Sequence, residues 1–105
     1  MNATRRGTTP YITCTVLDDI DLSTIKTAWL TISQNGSIVI DKVTEDLTIN
    51  NKSIAIRLSQ EDTLSLKAGV MSYIQLRLLT DTDIAYASQQ DYVPVEDIIK
   101  DGKIV

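Results

Sequence analysis

Apolar and polar residues alternate with a period of two along most of the chain. From Thr9 to Leu17, Ile12, Cys14 and Val16 share one face while Tyr11, Thr13 and Thr15 share the other, the pattern of a half-buried strand. After the polar break "DDIDLS", Thr27 to Ser33 alternates again, with Ala28, Leu30 and Ile32 inward and Trp29 outward. Asn35-Gly36 then signals a hairpin. A two-residue turn there would set Ile32 against Val39 and Leu30 against Asp41, placing a carboxylate on the apolar face. A three-residue loop, Gln34-Asn35-Gly36, sets Ile32 against Ile38 and Leu30 against Ile40, so the longer loop is expected.

A second hairpin is expected from residues 47–49 and 53–58 around "NNKS", with Ile54, Ile56 and Leu58 inward and Ala55 and Arg57 outward. Ser59-Gln60-Glu61-Asp62 has an N-cap serine with an acidic residue three positions on, predicting a single helical turn that crosses between sheets and closes at Gly69. The longest strand is expected over residues 70–79, with Val70, Ile74, Leu76 and Leu78 inward and Tyr73, Gln75 and Arg77 outward. "TDTD" turns the chain into a partner strand over residues 84–89. Val93 and Val95 add a short edge strand around Pro94, a residue tolerated at sheet edges.

About seven short strands joined by polar turns predict an all-β antiparallel β-sandwich of immunoglobulin-like architecture, with a closed barrel as the alternative. The Cys…Trp…Cys framework of antibody domains is absent, so the likeness is one of architecture. Residues 1–105 read as one domain, in which 1–8 form a flexible lead-in and 96–105 a tail with one helical turn stopped at Gly102.

Composition narrows the chemistry. Apolar residues make up 43% of the 105, without Phe and with one Trp, so the core is aliphatic and β-branched. Fourteen acidic against ten basic residues leave a net charge of -4, which opposes non-specific binding to nucleic acid or anionic membrane. No apolar run reaches the roughly 18 residues of a membrane helix, and no signal-peptide pattern opens the chain, so synthesis in the cytoplasm is expected. The single Cys14 reads as a small buried hydrophobe. The sequons at Asn2, Asn35 and Asn51 fall in turns or a terminus, where Asn is favoured anyway.

The polar clusters offer few candidate sites. Asp19-x-Asp21-x-Ser23 copies the opening of a calcium loop, but Thr24 stands where that loop needs Gly and Leu30 where it needs Glu. Asp81 and Asp83 are turn formers. No metal site and no cofactor is therefore expected. Without histidine, a Ser or Cys nucleophile lacks its usual base. Glu45, Asp46, Glu61 and Asp62 sit in turns without the aromatic platform of a glycosidase cleft. No catalytic residue is assigned and the chain is not expected to be an enzyme. Arg57 and Arg77 read as cross-strand partners of acidic residues. Outward Trp29 and Tyr73, together with Arg5 and Arg6 in the lead-in, are the candidates for contact with a partner protein.

Four segments taken together carry a resemblance: "RRGTTPYITCTV", "TISQNGSIVI", "RLSQEDTLSLKAGVMSYIQLRLL" and "VEDIIKDGKIV". The chain resembles small proteins encoded in the phage and prophage structural-gene regions of Gram-positive bacteria and, more distantly, the N-terminal domain of baseplate upper proteins. The resemblance implies a non-enzymatic structural or assembly protein of the tail or baseplate. It would be made in the bacterial cytoplasm, enter the virion, and act through other phage structural proteins or self-association into an oligomer. Residues 1–105 are not expected to include the receptor-binding region of the baseplate pattern, a departure from it. A carbohydrate-binding or adhesion module is the alternative.

Overall fold

A computed structural model describes residues 4–15, 21–88 and 90–105. Ten strands are formed among them: β1 (Thr4–Arg5), β2 (Tyr11–Thr15), β3 (Ile25–Gln34), β4 (Ser37–Val43), β5 (Thr48–Ile49), β6 (Ser53–Arg57), β7 (Ser72–Thr80), β8 (Ala85–Ala87), β9 (Asp91–Tyr92) and β10 (Val95–Glu96). A short helix α1 (Gln60–Leu64) interrupts them. The larger sheet runs β4-β3-β7-β8, with β9 also paired to β7, and a three-stranded sheet runs β2-β6-β5. Both are antiparallel, whereas β1 and β10 form a small parallel pair.

The inward residues of both sheets meet in one aliphatic core. Ala28, Leu30, Ile32, Ile40, Ile74, Leu76 and Leu78 come from the larger sheet, and Ile12, Ile54 and Ile56 from the smaller, with Leu58 and Leu66 beside them. Fully burying each large side chain contributes about 1.5–3 kcal/mol, so these alternating positions dominate the stability. The chain is thus an all-β antiparallel sandwich, as its period-two patterning predicts.

The first hairpin departs from expectation. Gln34 pairs with Ser37, so the turn is the two residues Asn35 and Gly36, whose φ values of 52° and 76° are the left-handed pair that a type I′ turn requires. A register shift rescues the apolar face. Ser33 pairs with Ile38 but Ile32 pairs with Ile40, leaving Val39 as the extra residue of a bulge. Leu30 consequently faces Lys42 rather than Ile40, and the Lys42 ammonium reaches Asp62 at 3.1 Å. Asp41 falls on the outer face, where Thr31 donates to it at 2.7 Å. The bulge does the work expected of a longer loop.

The second hairpin forms as predicted, except that Ala55 is buried: in the centre of its sheet, between Thr13 and Thr48, a methyl group is small enough for its neighbours to cover. Ser59 caps α1 with reciprocal bonds, its hydroxyl accepting from the Asp62 N–H and its own N–H donating to Asp62, each at 3.0 Å. The helix ends at Leu64, before Gly69, and Val70 lies outside β7. Of the strand expected over residues 84–89, residues 85–87 form β8, which is exposed along its whole length, and Gln89 lies outside the described residues. At Val93-Pro94 the chain leaves β7 and joins β1 through β10. Cys14 is half-buried against the core rather than fully buried, and burial pushes its thiol pKa up, with Asp91 adding to the shift. Val16 and Leu17 lie outside the described residues.

Both termini also differ from expectation. Residues 4 and 5 are a strand, not a flexible lead-in: Thr4 is buried and its N–H donates to Pro94 O at 2.8 Å. The tail contains no helical turn. Val95 and Glu96 are taken into β10, and the backbone beyond is held by side chains from elsewhere, such as the Gln60 carbonyl oxygen, which accepts from Ile104 N–H at 2.6 Å.

Candidate partner-binding surface

The outer face of the larger sheet is laid out by three cross-strand rows. At one end Ile38, Ser33, Tyr73 and Tyr92 stand side by side on β4, β3, β7 and β9. The middle row, Asp41, Thr31 and Gln75, is polar: Thr31 donates to Asp41 within it, and Gln75 donates out of it to Ser88 O at 2.9 Å. At the other end come Val43, Trp29, Arg77 and Ala87. Period-two alternation puts these residues outside because their neighbours Leu30, Ile32, Ile74, Leu76 and Leu78 are inside.

Large apolar groups remain in water along the first row. Ile38 is 67% exposed, Tyr92 44% and Tyr73 37%, and Met71 beside them is 54% exposed and accepts from the Tyr73 hydroxyl. Ile38 is outside because the two-residue turn sets it opposite outward Ser33, and the bulge beyond it returns Ile40 to the core; local alternation, which puts Ile38 and Ile40 on one face, could not reveal this. Tyr92 joins this row through β9, a pairing that no motif in the sequence signals.

The third row ends in a trough of about 310 Å³ lined by Trp29, Arg77, Leu78, Leu79, Ala85, Tyr86 and Ala87. Trp29 is outward, as expected, but only part-exposed, because the Arg77 guanidinium lies 5.7 Å from its ring centroid. Arg77 was expected to pair with an acidic residue and instead stacks on Trp29. Arg57 does the same on the smaller sheet, 5.2 Å from the ring of its cross-strand neighbour Tyr11. Among the described residues neither arginine forms a salt bridge.

Arg5 and Arg6 do not join this surface. Arg5, on β1, pairs with Glu96 of β10 and donates to Asp97 O at 2.8 Å. Arg6 bonds Asp97 at 2.8 Å, Asp101 at 3.0 Å, and the carbonyls of Leu66 and Leu64 at 2.8 and 3.1 Å. The hydrogen bond from Arg6 holds the Asp97 carboxyl below its ordinary range, with the Ile98 N–H assisting. These arginines tie the two ends of the chain together.

The other polar clusters are also occupied by local bonds. Asp21 caps a turn, accepting from Ser23 Oγ at 2.7 Å and Ser23 N–H at 3.0 Å, and the serine hydroxyl is the main cause of its lowered pKa. Asp19 lies outside the described residues. Asp83 takes a left-handed φ of 63° in the β7–β8 turn, and Asp81 N–H donates to Thr24 O at 2.8 Å. Among the described residues no group of three His, Cys, Asp or Glu side chains is arranged to hold a metal ion. No helix among them is long and apolar enough to cross a membrane.

No family model matches the chain, and no curated protein matches it. Among solved structures it is similar to the V domain of amphioxus IgVJ-C2, at 12% identity over 87% of this chain and 95% of that one, with a TM-score of 0.33. The fold class stands on the strand ladders and the shared core, independently of that likeness.

Proposed function

We propose that the chain is a non-enzymatic assembly protein acting through protein–protein contacts, of the kind that builds phage or prophage tails and baseplates. The observation that carries this reading is the exposed row Ile38, Tyr73 and Tyr92 with Met71, on the outer face of a sheet. Aromatic residues and Met are enriched at protein interfaces, and Tyr is among the residues whose truncation most often costs affinity. The tail and baseplate assignment draws on the sequence resemblance alone.

The test is to sequence the genes on either side, express any tail and capsid proteins they encode, and mix each with this chain under multi-angle light scattering. A complex larger than either component, weakened by Tyr73→Asp, supports the reading. A chain that stays monomeric with every neighbour, or neighbours that encode only metabolic enzymes, overturns it. The Tyr73–Tyr92 pair also offers aromatic faces of the sort a carbohydrate-binding module uses, and glycan-array binding that Tyr92→Ala abolishes would favour that alternative.

A further inference from the structure

The two edges of the larger sheet differ in how they are protected. β4 carries Asp41 and Lys42 and a bulge, devices that discourage another strand from docking. β8 is Ala85-Tyr86-Ala87, with neither charge nor proline, and apart from its shortness it has no such protection. Ile84 O accepts from Thr80 N–H at 2.9 Å and Ser88 N–H donates to Leu76 O at 2.8 Å, so the even-numbered residues of this strand bond to β7. The antiparallel alternation then turns the N–H and C=O groups of Ala85 and Ala87 away from the sheet, where both residues are exposed.

The trough adjoins this edge. It is lined by the small side chains Ala85 and Ala87 and by Arg77 stacked on Trp29. Arg77 sits directly across from Ala87, no acidic residue lines the trough, and no described carboxylate pairs with the guanidinium. A second copy docked edge to edge about Tyr86 would bring alanine against alanine, leaving the trough unfilled and Arg77 unpaired. A strand with a longer acidic side chain facing Ala87 fills the space and supplies the missing charge.

We propose that β8 and its trough receive an extended segment of a partner protein, added as a further strand on Ala85 and Ala87, with an Asp or Glu reaching across Ala87 to Arg77. This rests on the assembly reading above and names the edge at which a partner docks. Main-chain bonds supply the register, and the Arg77–carboxylate pair supplies selectivity.

The probe is a displayed library of random eight-residue peptides lacking Trp, selected on the full chain, with binding of the winners followed by the fluorescence of the sole tryptophan, Trp29. Enriched peptides are expected to combine β-branched residues with one acidic position, and to shift the backbone amides of Ala85 and Ala87 in NMR spectra. Replacing that acid by its amide, or Arg77→Gln in the protein, weakens binding about tenfold, the size of one charge-assisted hydrogen bond. Ala87→Pro removes an outward N–H at an edge that tolerates proline and abolishes binding; Arg77→Gln, at an exposed position, decides the matter if the proline variant does not fold. No enrichment, winners without an acid, or binding indifferent to Arg77→Gln overturns the edge site. So does a dimer that Ala87→Pro dissociates, which would put a second copy there. Light scattering with neighbouring gene products tests the assembly reading separately, since those complexes can form through the Tyr73 row without β8.

Discussion

Two regions of this protein use arginine in opposite ways. At the end of α1 and in the link to β7, Arg6 donates to the carbonyls of Leu64 and Leu66, while Gln34 holds Lys67, donating to its carbonyl at 2.8 Å and accepting from its N–H at 2.9 Å. Two side chains remote in sequence thus satisfy a stretch of backbone that belongs to no sheet. On the outer face, Arg77 lies over Trp29 with no described carboxylate to pair with. A cation saturated by its own chain is part of the structure; a cation held open by an aromatic ring is free to meet another molecule. The contrast predicts that this corner, the backbone held by Arg6 and Gln34, governs stability and the trough governs binding.

The strongest way to break the corner is Gln34→Leu. Gln34 is buried and also donates to the fully buried Ser72 at 2.8 Å, so an apolar replacement strands several polar groups at once. A loss of about 2–3 kcal/mol is expected in urea denaturation. Gly7→Ala comes next. Gly7 is buried at a φ of +74°, and an added Cβ would lie 3.2 Å from Ile98 Cδ1, so about 1–2 kcal/mol should be lost to the left-handed conformation, with crowding adding to it.

Acid should loosen the same corner by a smaller amount. The Asp97 carboxyl is lowered by Arg6, that of Asp62 is lowered by the bonds from Ser59 and Lys42 despite burial that opposes them, and that of Glu61 is lowered by Lys103. Each contributes stability that is fully present above the unfolded carboxylate pKa of about 4 and is lost as pH falls through the lower folded value. Thermal melts from neutral pH downward should therefore fall below about pH 4, with the Asp97 share of that slope removed in Asp97→Asn. The smallest stability effect is expected at the trough, where Arg77→Gln should stay within about 0.5 kcal/mol of the parent while weakening peptide binding. If Arg77→Gln destabilised the fold as much as Gln34→Leu, the division between corner and trough would fail.

Much of the fold was legible one residue at a time. Ala28, Leu30, Ile32, Ile54, Ile56, Ile74, Leu76 and Leu78 are all buried where alternation puts them. Ser59 and Asp62 form the capping box that their spacing announces. Trp29 and Tyr73 share the outer face, as their phase requires. The surface around them was legible only in part, because Tyr92 reaches it through the β7–β9 pairing and Ile38 through the register that the two-residue turn imposes.

The sequence by itself determined the sandwich, because a strand's inward and outward faces follow from neighbouring residues and the period is local. Arg5 and Arg6 show what it could not determine. Their partners Glu96, Asp97 and Asp101 lie more than 90 positions away, and Arg6 and Arg77 are chemically identical side chains. Which arginine is consumed and which is left open depends on the parallel closure of β1 on β10 and on the edge position of β8, and those are decided by long-range packing that no local pattern encodes.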